Sequence, residues 1–177
     1  MNNIMLTNYP VITVEPTDLL CQTSLLRQKS KPVSELNIDT KKIVAEMIRA
    51  LYSVKHGRGI SAVQIGVLAQ IFIVNINRIP GQEIIMIDPE IVSISGRLTK
   101  RSEGCMSLPD YKGNVVRRNN INIKGYNLIG EEIIITSHGY EANVIMHEID
   151  HMNGVLYWDL MQNGLKPTKL DSEEFSK

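Results

Sequence analysis

The pattern of apolar and polar residues along this chain indicates a helix first and then a region rich in β-forming residues. In residues 39–57 the apolar positions follow the 3.6-residue period of an amphipathic helix, at Ile43, Val44, Met47, Ile48 and Leu51. Asp39 or Thr40 can cap the start of this helix, and Gly57 can end it. The pattern therefore predicts an N-terminal helix.

The chain after this helix is rich in short β-forming runs. They cover residues 70–76, 83–88, 90–95, 120–127 and 131–137, and the last two flank a short turn that predicts a hairpin. A second helix follows over roughly residues 139–153. This order predicts an α+β fold in which antiparallel strands pack around the second helix.

Length and composition limit the class of protein. The 177 residues predict a single domain over 1–162 and a polar tail over 163–177. Lys+Arg and Asp+Glu both number 19, so there is no electrostatic footprint for nucleic acid or an anionic membrane. No apolar run is long enough to span a bilayer, and Glu15 and Asp18 interrupt any signal-like segment. Two cysteines make no disulfide framework, which favours a reducing, cytoplasmic compartment.

The second helix carries the strongest chemical signal, His-Glu-Ile-Asp-His at residues 147–151. Positions i and i+4 lie about 40° apart on one helix face, so His147 and His151 can reach one metal ion. Glu148 lies beside them, close enough to handle a water proton. The opposite side predicts a core face at Ile145, Ile149 and Met152. The alternative is a helix with two core histidines and no metal.

Two histidines leave a metal site short of ligands, because catalytic sites usually have three protein ligands and one open position. No histidine follows His151, and the next glutamate is Glu173 in the polar tail. Cys105 is the best upstream candidate. Gly104 lets the backbone approach closely, and Pro109 ends the segment, which is typical of a loop or edge strand beside a site. The alternative for Cys105 is a small buried hydrophobe, which is also what we predict for Cys21.

Residues 56–66 form a glycine-rich segment with Gly57, Gly59 and Gly66 around small side chains. It is not a nucleotide-binding P-loop, because no Gly-Lys-Ser/Thr follows. We predict a turn that brings the backbone close to a ligand, with the Gln64 amide as a donor. A plain loop that ends the first helix is the alternative.

In this order and spacing, the three segments resemble the peptide deformylase family. The family motifs are G-x-G-Φ-A-A-x-Q, E-G-C-Φ-S and H-E-Φ-D-H, where Φ is apolar. This chain has GRGISAVQ at 57–64, EGCMS at 103–107 and HEIDH at 147–151. Flanking segments KPV, LPDYKG and NGVLYWD extend the resemblance over about residues 20–162.

The resemblance implies three groups of site residues. The implied metal ligands are Cys105, His147 and His151. The implied catalytic groups are Glu148 as acid and base, with Gln64 and the Met106 backbone N–H at the oxyanion. The implied substrate-binding residues are Gly59, Ile60, Gly104, Tyr140, Asn143 and Val144, with Gly59 and Gly104 pairing their backbone with the substrate peptide.

The resemblance also implies a reaction. The family's metal is usually ferrous iron (Fe2+), and zinc (Zn2+), nickel (Ni2+) or cobalt (Co2+) can occupy the site. Its substrates are the N-formyl-methionyl ends of nascent bacterial or organellar proteins, and its products are formate and a free amino terminus. The ribosome near its exit tunnel is the candidate partner, with no direct nucleic-acid motif and no membrane.

Several residues depart from the family pattern. Ser61 stands where alanine is usual, Met106 replaces leucine, Lys112 replaces arginine, and Met146 replaces glutamine. Asn143 is more polar than expected for a residue bordering the methionine pocket. Ser61, Asn143 and Met146 motivate a second hypothesis, that the chain is a deformylase-like paralogue that hydrolyses another N-formyl amide or works poorly.

Two further alternatives come from different classes of protein. A metal-stabilised binding protein without turnover would need a closed site with four ligands, whereas the sequence offers three and a poised Glu148. An ordinary metallopeptidase is disfavoured, because the downstream third ligand of many such enzymes is missing.

Overall fold

The computed structural model describes residues 10–13, 24–35, 38–161 and 168–169. The helices and strands in chain order are α1 (Thr40–Ser53), β1 (Gly59–Ser61), β2 (Ile71–Val74), β3 (Ile84–Cys105), β4 (Leu108–Tyr126), β5 (Glu132–His138), α2 (Gly139–Met152) and β6 (Thr168–Lys169). Short 3-10 helices cover Leu25–Arg27, Val33–Glu35, Ala62–Ile65 and Tyr157–Leu160. The predicted combination of helices with antiparallel strands is confirmed.

The strands form one antiparallel sheet in the order β1-β2-β3-β4-β5, and β6 pairs with β4. The predicted hairpin is confirmed, since β4 and β5 pair from Asn120 opposite His138 to Tyr126 opposite Glu132. The long β3–β4 pair contains four register shifts, which bend its two strands. The last shift lies beside Cys105, where β3 ends and the chain turns into β4.

One prediction for the strands and one for the glycine-rich segment were wrong in detail. The runs 83–88 and 90–95 belong to the single strand β3, which continues to Cys105. Asp88, with a φ of 48°, and Pro89 lie within a register shift, where proline's missing N–H is tolerated. The glycine-rich segment, predicted as a turn, instead contains strand β1 followed by the 3-10 helix Ala62–Ile65.

Both helices begin near their predicted positions. The Asp39 side chain caps α1 by accepting a 3.1 Å hydrogen bond from the Lys42 N–H. Helix α1 ends at Ser53, earlier than the predicted stop at Gly57, because the chain extends from Val54. Helix α2 matches its predicted range within one residue and contains residues 147–151.

The core lies on both faces of β2. Its odd-numbered residues Ile71 and Ile73 pack in a cluster with residues of α1, whereas Phe72 and Val74 pack with residues of α2. Alternate residues of a strand point to opposite faces, so one short strand lies between the two helices. The predicted core face of α2 is confirmed, since Ile145, Ile149 and Met152 are all buried in the second cluster.

Some predictions concern residues outside the described ranges. These residues include Cys21, Glu173 and residue 162, the proposed end of the domain. Among the described residues, no helix has both the length and the apolar content that crossing a bilayer requires.

Gly154 offers a test of how the end of α2 packs. Its φ is 73°, and a Cβ at this position would overlap the Arg27 carbonyl oxygen. Gly130 has a φ of 83°, and a Cβ added there would meet nothing within 4 Å, so it is a matched control. We expect Gly130→Ala to lower the free energy of unfolding by about 1 kcal/mol through backbone strain alone. Gly154→Ala should cost ~1–3 kcal/mol more through overpacking.

Urea unfolding of the two variants at equal metal content measures this difference. Equal losses of stability would show that the segment around Arg27 moves away at no cost, and that this packing does not hold the end of α2.

Candidate metal centre

Three buried side chains bring their ligand atoms together at the end of β3 and along α2. The ligand atoms of Cys105, His147 and His151 all lie within 4.8 Å of one another. Cys105 Sγ is 3.2 Å from His151 Nε2, close to the roughly 3.5 Å between two donors on one tetrahedral ion. The two imidazole rings meet edge to face, with their centroids 4.8 Å apart.

The donor set fits a divalent transition metal. Thiolate and imidazole are the ligands that iron, zinc, nickel and cobalt accept, and carboxylate-only sites suit harder cations. Burial lowers the pKa of His151 below its usual range, with the nearby His147 adding to the effect, so the imidazole stays neutral and able to ligate. The group found among the described residues has three members, the number of protein ligands that catalytic metal sites usually have.

Glu103 orients the first histidine. Its Oε2 lies 3.0 Å from His147 Nδ1, which leaves the other ring nitrogen, Nε2, as the ligand atom. The same carboxylate accepts hydrogen bonds from Arg117 Nε at 2.7 Å and Nη2 at 3.1 Å. Asn143 Nδ2 donates a further bond of 2.8 Å to Glu103 Oε1. Glu103 therefore ties α2 to the β3–β4 pair.

A buried carboxylate needs these partners to remain charged. Burial raises the pKa of Glu103, but the hydrogen bonds from His147 and Arg117 outweigh this and bring the pKa to about 2. Arg117 is itself buried and also donates from Nη1 to Asp150 Oδ2 at 2.7 Å. The two carboxylates thus hold one guanidinium between β4 and α2.

Glu148 lies next to the ligands with its side chain almost fully buried. The Ser61 hydroxyl is 2.8 Å from Glu148 Oε2 and also 2.8 Å from the Glu148 backbone oxygen. Burial raises the pKa of the Glu148 carboxyl to about 7, although the His147 charge and the Ser61 hydrogen bond oppose the shift. A cation on the three ligands would oppose it further, because positive charge favours the carboxylate. Near-neutral pKa values suit a group that takes up and returns a proton.

Gln64 faces the cysteine from the other side. Its Oε1 accepts a 2.9 Å hydrogen bond from the Ser61 backbone N–H. Its Nε2 donates to Ser107 Oγ at 3.1 Å and lies 3.5 Å from Cys105 Sγ. Gln64 is 1% exposed, and its amide nitrogen is directed at Cys105 and Ser107.

The two glycines predicted to contact substrate differ in their surroundings. A Cβ on Gly59 would overlap Glu148 Oε1 and come within 2.8 Å of Val144 Cγ1, so only glycine lets β1 approach α2 this closely. A Cβ on Gly104 would meet only ordinary contacts at 3.6 Å. Packing therefore requires glycine at position 59 and leaves the role of Gly104 open.

The remaining predicted site residues are scattered. Met106 lies with Ser107 in the turn between β3 and β4, next to Cys105. Ile60 is completely buried in the cluster of α1 residues, so its side chain is part of the core. Tyr140 is 46% exposed at the start of α2, about two turns before His147. Asn143 is buried, and its Nδ2 donates to Glu103 Oε1.

Sequence reasoning missed the residues that support the ligands. Glu103 lies within the EGCMS motif, and its signal was the two-residue period of a strand, which puts positions 103 and 105 on one face. The Tyr157 ring stacks on His147 with centroids 6.0 Å apart, and its hydroxyl is buried without a hydrogen-bond partner among the described residues. Nothing local in the sequence marks Arg117 or Tyr157 as neighbours of this site.

A buried group of one thiol and two imidazoles, with a carboxylate beside it and an amide facing it, defines a mononuclear metal-dependent hydrolase site. Residues 19–166 match the model of the polypeptide deformylase family. The chain belongs to this family.

Individual relatives agree with the family match. The chain is 36% identical to a peptide deformylase of Symbiobacterium thermophilum over 150 residues, covering 85% of this chain and 68% of the relative. A peptide deformylase of Carboxydothermus hydrogenoformans is 37% identical, with 78% and 88% covered. The crystal structure of peptide deformylase from Thermotoga maritima superposes with a TM-score of 0.75 at 30% identity, covering 88% of this chain and 98% of that one.

Replacing Cys105 tests the ligand set. Cys105→Ala removes one of three donors, so we expect the purified protein to lose most of its bound metal. Cys21→Ala is the control, and it should keep full occupancy because Cys21 is not predicted to ligate. Metal analysis of anaerobically purified protein gives the answer. Full occupancy in Cys105→Ala would remove this cysteine from the ligand set.

Proposed function

We propose that this chain hydrolyses the N-formyl group from the N-terminal methionine of newly synthesised proteins, releasing formate and a free amino terminus. One observation carries the proposal. In a member of the polypeptide deformylase family, the ligand atoms of Cys105, His147 and His151 lie within 4.8 Å of one another, and Glu148 follows His147 on the same helix.

Helix α2 is the metal-binding helix in this proposal, and Cys105 completes the site from the end of β3. A divalent cation held by Cys105, His147 and His151 would supply Lewis acidity, which would make water nucleophilic near neutral pH. We propose ferrous iron as the native ion, with zinc, nickel or cobalt as substitutes. The soft thiolate beside two imidazoles supports a transition metal over calcium or magnesium.

Glu148 and Gln64 handle the proton and the developing charge. Glu148 accepts the proton that the attacking water loses and returns it to the departing amine nitrogen, and its buried position directly after His147 on α2 supports this role. Gln64 Nε2 and the Met106 backbone N–H donate to the carbonyl oxygen as it becomes negative. The orientation of the Gln64 amide, set by the Ser61 N–H, supports this assignment.

The substrate peptide would lie along strand edges near the ligands. Strand β1, with Gly59, is the end strand of the sheet, and β3 at Gly104 pairs with β4 on one edge only. An extended peptide can add to such edges through backbone hydrogen bonds. We propose Val144, Tyr140 and Asn143, with the backbone of Ile60, as the residues around the methionine end.

The departures from the family pattern have internal contacts that do not require another substrate. Ser61 hydrogen-bonds Glu148, Asn143 hydrogen-bonds Glu103, and Met146 is buried in the cluster with α2. No described contact favours the paralogue that acts on another N-formyl amide. Formate release from formyl-Met-Ala-Ser, compared with other formylated amines, separates the two functions.

A nascent-chain substrate places the reaction in the compartment where formylated proteins are made. We therefore propose a cytoplasmic enzyme that acts on chains as they leave the ribosome. The balanced charge and the two cysteines of the sequence are consistent with this compartment.

Glu148→Gln should separate metal binding from chemistry. Glutamine keeps the size and can still hydrogen-bond, but it cannot accept a proton. Loss of a general base costs about 10²–10⁴-fold in rate, and we expect the upper end because the same residue protonates the leaving amine. Metal content should stay near that of the wild type. The measurement is formate release per bound metal at saturating formyl-methionyl peptide.

Glu141→Gln is the matched control, because it makes the same change on α2 beside Ser137, away from the ligands. It should leave the rate unaltered. If Glu148→Gln stays within about tenfold of wild type, a general base lies elsewhere and the proton-transfer scheme fails.

Iron at a thiolate ligand predicts sensitivity to oxygen. Iron-loaded protein should lose activity in air through oxidation of the metal or of Cys105, whereas zinc- or nickel-loaded protein should stay active. Half-lives of activity, measured in air and under nitrogen for each metal form, test the expectation. Equal half-lives for the iron form in both atmospheres would argue against it.

A further inference from the structure

Ser61 touches both proposed catalytic side chains. It is the last residue of β1, completely buried, and its hydroxyl reaches Glu148, 87 positions later in the chain. Its backbone N–H is bonded to Gln64 Oε1 at 2.9 Å. A single residue therefore contacts the carboxylate beside the histidines through its side chain and the amide beside the cysteine through its backbone.

The Ser61 hydroxyl lies between the Glu148 side-chain carboxylate and the Glu148 backbone carbonyl. Ser61 Oγ lies 2.8 Å from Glu148 Oε2 and 2.8 Å from the Glu148 carbonyl oxygen. One hydroxyl carries one hydrogen and can rotate it between these acceptors. A glutamate side chain has several rotatable bonds, so a bond to its terminal oxygen removes rotamers that would carry the carboxylate away from the ligands.

The backbone N–H fixes which end of the Gln64 amide faces the site. Only the amide oxygen can accept from the Ser61 N–H, so Nε2 must point the other way. It points to Ser107 Oγ and Cys105 Sγ. Gln64 is thereby presented as a donor.

We propose that Ser61 is a positioning residue for the deformylation reaction, whose hydroxyl holds the Glu148 carboxylate in place for proton transfer while its backbone amide orients Gln64. This rests on the proposed function. Serine and alanine share the backbone N–H, so the Gln64 contact survives in Ser61→Ala, and that variant isolates the hydroxyl.

Loss of the hydroxyl should slow the chemical step and leave binding alone. Ser61 has no described hydrogen bond to Cys105, His147 or His151, so metal content should not change. Productive geometry in active sites tolerates deviations of only about 0.5 Å. We expect kcat for a formyl-methionyl peptide to fall about tenfold in Ser61→Ala, with KM within about twofold of wild type.

The control is Ser137→Ala, which also removes a buried serine hydroxyl that donates to a glutamate. The Ser137 hydroxyl donates to Glu141 Oε1, at the start of α2, over 2.8 Å. It should leave kcat and KM unaltered. In a Glu148→Gln background, Ser61→Ala should lower kcat by less than about twofold. The effects of two substitutions are not additive when both residues act through the same group. All variants are compared as the metal-loaded holoprotein, with metal content measured for each.

A crystal structure of the metal-loaded Ser61→Ala variant without substrate shows where the Glu148 carboxylate lies when the hydroxyl is absent. The Glu148 carboxylate should move by more than about 0.5 Å or show more than one conformation. An unmoved carboxylate, an unaltered kcat, or a full tenfold loss in the Glu148→Gln background would each overturn the positioning role. If wild-type protein releases no formate, the proposed function fails, and the carboxylate position still decides whether Ser61 holds Glu148.

Discussion

The buried carboxylate of Glu103 is the interaction on which the metal centre depends. It joins β3 to β4 through Arg117 and to α2 through His147 and Asn143. A charge taken out of water is costly unless its lone pairs are all satisfied, and four hydrogen bonds satisfy this one. The arrangement of α2 against the strands is thereby coupled to the orientation of a candidate ligand.

Regular elements place most of the site. The two-residue period of β3 puts Glu103 and Cys105 on one face of the strand. The helical period of α2 puts His147 and His151 on one face of the helix. Side chains on packed strands and helices are held more precisely than side chains on loops. Gly59 completes the arrangement, since the absence of a Cβ lets β1 come into contact with Glu148.

Residues that depart from the family pattern are adapted to their neighbours in this chain. A Cβ on Gly57 would lie 2.8 Å from Met106 Sδ, so the methionine in the β3–β4 turn packs directly on the glycine-rich segment. Ser61 likewise finds its partners on α2. The effect of each departure therefore depends on the contacts around it, and the type of residue alone does not reveal it.

The sequence by itself determined the local features, because these follow from short periods and capping chemistry. The two helices, the β4–β5 hairpin, a cap at Asp39 or Thr40 and the histidine pair on one helix face are all of this kind. The tertiary structure decided the long-range contacts: Glu148 with Ser61 across 87 positions, and Asn143 with Glu103 across 40. Such contacts depend on strand register and on how a helix packs against a sheet, and a local period does not specify either.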